Sequence, residues 1–67
     1  MNGFTFRRRA TKLTQAQVAE KLGLSQSTVA KWENGTALPR GSTLLEVADL
    51  YQCTVEELFD YTEAKKS

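Results

Sequence analysis

The chain has 67 residues with one cysteine and no histidine, which excludes a second sizeable domain, an internal disulfide framework and a Cys/His zinc site. No apolar run approaches the roughly 18 residues of a membrane-spanning helix, and no signal peptide is evident, so we expect a soluble, cytoplasmic domain without a cofactor. The net charge of +1 is unevenly spread: positions 1–40 hold seven Lys or Arg against two acidic residues, and positions 41–67 hold two against six, which favours one face for an anionic partner.

Helix signals begin near the start of the chain, and no segment alternates polar and apolar residues as a strand does. Phe4 and Phe6 mark a first helix that runs towards Thr11. The segment Thr14-Gln15-Ala16-Gln17 is a capping box, in which hydroxyl and amide side chains satisfy free backbone N–H groups at a helix start. The helix that follows has an apolar stripe at three- and four-residue spacing: Val18, Ala19 and Leu22. Gly23 ends this second helix in the left-handed region.

A third helix is predicted directly after the second. Ser25 is a good N-cap, and the buried side of the helix is formed by Val29 and Trp32. Asn34-Gly35 ends this helix, and residues 36–41 form a loop that contains Pro39.

Two more helices follow the loop. The first has five apolar positions: Leu44, Leu45, Val47, Ala48 and Tyr51. A second capping box, Thr54-Val55-Glu56-Glu57, opens a short last helix with Leu58 and Phe59. Residues 1–61 are therefore predicted to form one all-α domain of five short helices, and residues 62–67 a polar tail.

The connection between the second and third helices is so short that the two must cross steeply, as in a helix-turn-helix. This crossing needs a small residue at the closest approach, supplied by Ala19, and a positive φ in the turn, supplied by Gly23. Leu24 is expected to fill the corner of the turn. The remaining requirement is a set of side chains that point into one core: Val18, Leu22, Val29 and Trp32.

With these residues in place, positions 13–59, about 70% of the chain, resemble the helix-turn-helix domain of the phage-repressor/Cro type, also called the xenobiotic-response-element family. The matching segments are Leu13-Thr14-Gln15, Val18-Ala19, Leu22-Gly23-Leu24-Ser25, Ser27-Thr28-Val29, Trp32-Glu33-Asn34-Gly35, Pro39, Thr43-Leu44-Leu45 and Leu58. The resemblance implies a lambda-repressor-like bundle of five helices whose third helix enters the DNA major groove. Lys12 and Gln52 depart from the pattern, because Gly or Asn commonly ends a helix at those positions.

The resemblance also implies roles for individual residues. Base reading is expected from the polar side of the third helix: Gln26, Ser27, Thr28 and Lys31. Glutamine can pair with adenine, and lysine can reach guanine acceptors. Phosphate contacts are expected from Gln15, Asn34, Arg40 and Arg9. Arg8 and Glu33 stand where related domains form an internal ion pair.

Because one recognition helix covers few base pairs, domains of this kind commonly act as two-fold dimers on palindromic operators. The candidate dimer surface is apolar and lies near the end of the chain: Leu58, Phe59 and Tyr61.

These observations predict a sequence-specific, double-stranded-DNA-binding transcriptional regulator, a repressor, that acts as a homodimer. The alternative is a module that binds a partner protein with the same fold, which an apolar or acidic third helix would favour. An enzyme is not expected, since the sequence has no histidine, no phosphate-cradling glycine loop and no nucleophile with a neighbouring base.

Overall fold

The computed structural model describes residues 2–59 of the chain. This part contains five α-helices joined by short turns and loops. In chain order they are α1 (Gly3–Ala10), α2 (Gln15–Leu22), α3 (Gln26–Asn34), α4 (Gly41–Leu50) and α5 (Val55–Phe59). The all-α prediction with a helix-turn-helix at the second and third helices is thereby confirmed. The predictions for the tail at 62–67 and for Tyr61 lie outside the described residues. No helix within residues 2–59 is both long and apolar enough to cross a membrane.

The side-chain hydrogen bonds predicted to cap the helix starts are formed. In both capping boxes the threonine hydroxyl accepts a hydrogen bond from the backbone N–H three residues on, and that residue's side chain accepts one from the threonine N–H. Ser25 caps α3 by accepting from the N–H of Thr28 at 3.3 Å. Each side chain satisfies a donor that the helix itself leaves unpaired. The beginnings of α2, α3 and α5 are therefore determined locally.

One apolar core joins the five helices, and α1 packs against both α3 and α5. The rings of Phe4 and Trp32 lie 6.1 Å apart, and that of Phe59 meets Phe4 edge-on at 5.5 Å. The buried apolar residues are Phe4, Val18, Ala19, Val29, Trp32, Val47, Ala48, Tyr51 and Leu58. The core thus takes the inward face of every helix, and it leaves the outer face of α3 to solvent.

The turn between α2 and α3 has the expected backbone. Gly23 adopts φ 73°, and the N–H of Leu24 donates to the carbonyl of Ala19 at 2.8 Å. Ala19 is buried where the two helices pack. The prediction that Leu24 fills the corner was wrong, because the residue is 37% exposed. Leu24 closes the turn through its backbone, while its side chain lies at the surface.

The ends of α1 and α4 have the same backbone geometry without glycine. Lys12 has φ 63° and Gln52 has φ 56°, and both are exposed. At both positions the sequence departs from the family pattern, in which Gly or Asn is common. A left-handed conformation is strained for a residue with a Cβ. Contacts in the rest of the fold must therefore stabilise both helix ends.

The structure also corrects the proposed dimer surface. Leu58 is 0% exposed and belongs to the core, so its side chain cannot meet a second copy. Phe59 is 49% exposed and remains available on the surface. The difference follows from α5 being a short helix of five residues whose one buried residue is Leu58.

Candidate nucleic-acid interface

The third helix separates an apolar face from a polar one. Val29 and Trp32 are 0% and 2% exposed and anchor α3 in the core. Gln26, Ser27 and Lys31 are exposed, and Ser27 and Lys31 lie on the side opposite the core. Because Ser27 and Lys31 are four residues apart, they share one face of the helix. One face of α3 is therefore anchored in the core, and the other face presents hydrogen-bonding side chains to solvent.

Three hydroxyl groups meet at the start of α3. The Oγ of Ser25 lies 3.1 Å from the Oγ of Ser27 and 2.9 Å from the Oγ1 of Thr28. Thr28 is half-buried, whereas Ser27 is exposed. Thr28 is consequently engaged in the helix cap, and Ser27 is better placed than Thr28 to reach a ligand.

The first residues of α2 and α3 are joined side chain to side chain. The Nε2 of Gln26 donates to the Oε1 of Gln15 at 3.4 Å, and the Nε2 of Gln15 donates to the Oε1 of Glu33 at 3.0 Å. Gln15 thus connects an exposed glutamine of α3 with a residue near the other end of the same helix. Its backbone N–H, at the first position of α2, has no partner within that helix.

Glu33 is the centre of the most connected polar cluster in the described residues. Its carboxylate accepts from the Nε of Arg8 at 2.6 Å, from the Nη2 of Arg8 at 3.1 Å and from the Oγ1 of Thr5 at 3.1 Å, besides Gln15. The side chains of Arg8 and Glu33 are only 12% and 7% exposed. Arg8 also donates to the carbonyl of Leu13 at 2.8 Å. The expected ion pair therefore ties α1 and the start of α2 to the end of α3.

The surroundings of this pair shift the pKa values of both partners. Burial alone would raise the pKa of Glu33, but the hydrogen bonds from Arg8, Gln15 and Thr5 and the charge of Arg8 lower it below its ordinary value of 4.5. The hydrogen bond to Glu33 raises the pKa of Arg8 against the opposing effect of burial. Both groups are accordingly charged at neutral pH.

The residues expected to meet phosphates lie on four different elements. Asn34, at the end of α3, is exposed, and its Oδ1 accepts from the N–H of Thr36 at 3.0 Å. This bond uses the oxygen and leaves the amide nitrogen directed elsewhere. Arg40 is the N-cap residue of α4 without a side-chain capping bond, and Arg9 lies in the last turn of α1. Both arginines are exposed, and no hydrogen bond within the described residues joins either of them to Gln15 or Asn34.

Two residues of the cluster around α3 were missed in the sequence. Thr5 is 7% exposed and donates to Glu33, and Asn2 caps α1 while its Nδ2 donates to the carbonyl of Trp32 at 2.9 Å. A signal existed for both residues. Asn is a preferred N-cap residue, and Asn2 stands directly before Gly3, two positions ahead of the apolar Phe4. Thr5 precedes Arg8 by three positions, on the same helix face.

The geometry defines the class of the protein as a helix-turn-helix domain, and the comparisons agree. The helix-turn-helix family model (HTH_3) matches residues 6–58. The chain belongs to the Cro/C1-type helix-turn-helix family, as the sequence resemblance predicted.

Three curated relatives show the range of this similarity. The chain is 37% identical over 51 residues to the cryptic phage CTXphi transcriptional repressor RstR of Vibrio cholerae, covering 76% of this chain and 46% of the relative. It is 34% identical over 56 residues to the HTH-type transcriptional activator BcrR of Enterococcus faecalis, covering 84% and 28%. With the HTH-type transcriptional regulator DicA of Escherichia coli it shares 35% over 49 residues, covering 73% and 36%. The chain spans less than half the length of each relative, and no solved structure matches it.

Proposed function

We propose that this domain binds double-stranded DNA sequence-specifically as a transcriptional repressor, with α3 in the major groove. The observation that carries the proposal is the division of α3 into a core face and an exposed face with Gln26, Ser27 and Lys31. Side chains of these types match the donor and acceptor groups of base edges. The names of the relatives support a role in transcription, and that of RstR supports repression.

The residues around α3 suit the phosphate backbone on either side of the groove. Gln15 offers its backbone N–H at the first position of α2, where the helix dipole favours an anion. The amide nitrogen of Asn34 and the guanidinium groups of Arg40 and Arg9 supply further donors. Such contacts fix the position of the protein on DNA, while the base contacts provide specificity.

The domain acts as a homodimer on a palindromic operator in this proposal. Phe59, half exposed beside Phe4, is the described part of the dimer surface. Several acidic residues lie in the same half of the chain, and phosphates repel them, which suits this half to face away from DNA. Sedimentation of the purified protein, free and on the selected site, should show a dimer on DNA. A monomer in both states would contradict the dimer.

The proposal is tested by selecting binding sites from randomised DNA duplexes with the purified protein. Enrichment of an inverted repeat whose half-site centres lie about 34–36 Å apart is the expected result. In a reporter assay, a promoter that overlaps the selected site should be repressed. No enrichment, together with equal affinity for all duplexes, would contradict sequence-specific recognition. That result would favour a partner protein that binds to α3.

A further inference from the structure

The chain contains the dipeptide Asn-Gly twice, at Asn2-Gly3 and at Asn34-Gly35. Asparagine is a chemically labile residue, and it is most labile before glycine, where no side chain hinders the following backbone nitrogen. That nitrogen attacks the side-chain carbonyl carbon of the asparagine, and a succinimide ring forms. The two pairs have the same chemistry, so a difference between their reaction rates must come from the fold.

The first pair is held in place by its surroundings. The Oδ1 of Asn2 accepts two backbone N–H groups of α1, and its Nδ2 donates to the carbonyl of Trp32 at 2.9 Å. Gly3 is buried, and a Cβ built on it would clash with the carbonyl oxygen of Leu58. Ring closure would break these hydrogen bonds and would turn a backbone that has no room to move. The fold therefore opposes the reaction at Asn2.

The second pair is exposed at the end of α3. A Cβ built on Gly35 would meet no atom within 4 Å among the described residues. The Nδ2 of Asn34 has no hydrogen-bond partner within residues 2–59, whereas its Oδ1 accepts from both the N–H and the hydroxyl of Thr36. These two donors draw electrons from the carbonyl carbon that is attacked, and they stabilise the negative charge that develops on Oδ1.

One backbone hydrogen bond opposes the reaction at Asn34. The N–H of Gly35 donates to the carbonyl of Lys31, and the next two N–H groups of the chain donate to the same oxygen. Three donors share this acceptor in the last turn of α3, so the bond opens at less cost than a buried contact between distant helices. The attack at Asn34 therefore requires only a local opening of the helix end.

We infer that Asn34 is a site of spontaneous deamidation and that the modified domain binds DNA more weakly. The nitrogen of Gly35 gives its proton to solvent and bonds to the Cγ of Asn34. The Cγ–Nδ2 bond breaks, and the NH₂ group takes up a proton and leaves as ammonia. Water then adds to one of the two ring carbonyls and opens the ring, which leaves a carboxylate in an aspartate or isoaspartate. The reaction consumes one water, releases one ammonia and needs neither an oxidant nor a reductant.

The effect on DNA binding rests on the proposed function. A carboxylate only accepts hydrogen bonds, so it cannot donate to a phosphate as the Nδ2 of Asn34 can. It also lies at the negative end of the α3 dipole, and a phosphate repels it. The modification is thus a one-way loss of DNA affinity. Bound DNA slows the reaction because it engages the Asn34 amide and holds the helix end closed.

The first experiment follows both asparagines by peptide mass spectrometry while the purified protein is kept at neutral pH in water labelled with heavy oxygen. Position 34 should convert from amide to acid, with uptake of one heavy oxygen, about tenfold or more faster than position 2, because its local opening costs less. In urea, which unfolds the chain, the two rates should converge. Asn34→Gln is the matched control and should stay unmodified, because its longer side chain closes a ring slowly.

Three results of this experiment would overturn the inference. The first is the absence of a reaction at Asn34 in the folded protein. The second is a reaction at Asn2 that is as fast or faster. The third is a difference between the two positions that persists in urea, since it would then not come from the fold.

The second experiment measures binding to the selected DNA site. Protein aged until position 34 is modified, and freshly prepared Asn34→Asp, should bind about tenfold or more weakly than fresh wild type, as for the loss of one hydrogen bond to a charged group. Asn34→Gln should lose no affinity on ageing. Circular dichroism establishes that the aged protein and both variants are folded. Saturating duplex should slow the reaction at Asn34 and leave the rate at Asn2 unchanged.

Unchanged affinity of the aged protein or of Asn34→Asp would overturn the effect on DNA binding, as would a rate at Asn34 that the duplex does not alter. A wild type that binds no duplex would instead overturn the proposed function. The two failures are distinguishable because the modification itself is measured without DNA.

Discussion

Arg7 and Arg8 are neighbours in α1, and each pairs with a glutamate, but the two pairs differ in every other respect. The Arg8–Glu33 pair is 2.6 Å long, nearly buried and supported by Thr5 and Gln15. The Arg7–Glu57 pair is 3.4 Å long, and its side chains are 31% and 42% exposed. Exposed pairs contribute little because water screens them, whereas breaking a buried pair leaves an uncompensated charge. A buried ion pair thus adds to the packing of α1 on α3, whereas α1 is held to α5 mainly through packing.

The largest expected effect comes from removing Glu33. Glu33→Ala leaves the guanidinium of Arg8 buried without a counter-ion, and it should destabilise the domain by about 3–5 kcal/mol. Glu57→Ala loses an exposed pair and one capping-box bond, so it should cost only about 1 kcal/mol. Urea unfolding followed by circular dichroism measures both values. Equal losses in the two variants, or no coupling between Arg8→Ala and Glu33→Ala in a double-mutant cycle, would contradict the comparison.

A second substitution tests the packing of α1 on α5. A Cβ at Gly3 would lie 2.2 Å from the carbonyl oxygen of Leu58, a backbone atom that cannot move without shifting α5. Gly3→Ala should therefore destabilise the domain by about 1–3 kcal/mol. Gly41→Ala is the matched control, since its Cβ meets no neighbouring atom within 4 Å among the described residues. If both variants unfold at the same urea concentration as the wild type, packing at Gly3 is not what holds α1 to α5.

The helix ends differ in which type of residue adopts the left-handed backbone conformation. Both α2 and α3 are followed by a left-handed glycine, while Lys12 and Gln52 adopt the same conformation after α1 and α4. Gln52→Gly should stabilise the domain by about 0.5–1 kcal/mol, because it removes the strain of a left-handed non-glycine residue. The larger conformational entropy of glycine in the unfolded chain offsets only part of this gain. Thermal unfolding measures the change. A lower midpoint would mean that the Gln52 side chain contributes more than its strain costs.

The smallest expected effect is a pH dependence, because burial opposes the hydrogen bonds that act on Glu33. Its pKa is lowered in the folded state, so this group adds stability above its ordinary pKa of 4.5, and that stability is lost as the pH falls through the folded pKa. Urea midpoints should accordingly decline below about pH 5. Glu33→Gln lacks the titrating group and should lack this part of the decline. The same slope in both proteins would assign the acid sensitivity to other carboxylates.

Local signals explain why so much of this structure could be predicted from the sequence. Thr14, Ser25 and Thr54 act within a few residues of themselves, and Gly23 meets a need of its own turn, so the pattern alone identifies them. Leu24 and Leu58 were misjudged because exposure depends on how distant helices pack. The close approach at Gly3 likewise involves residues 55 positions apart.

The candidate site shows the same division between local and distant contacts. The polar face of α3 follows from the spacing of Val29 and Trp32, which places Ser27 and Lys31 outward. The bonds from Gln15 to Glu33 and to Gln26 join residues 18 and 11 positions apart. No pattern within one helix predicts such bonds, and they became evident only in the folded chain.

Titration of Gln26→Ala and Lys31→Ala against the selected site, its single-base variants and a random duplex tests the central claim most directly. Each variant should lose about 1–3 kcal/mol on the selected site and relax the preference at particular base positions. Asn34→Ala should instead weaken binding to all duplexes alike, and Arg40→Ala should also reduce the slope of log affinity against log salt by about one. Unchanged affinity and unchanged base preference in Gln26→Ala and Lys31→Ala would contradict the claim that α3 reads DNA.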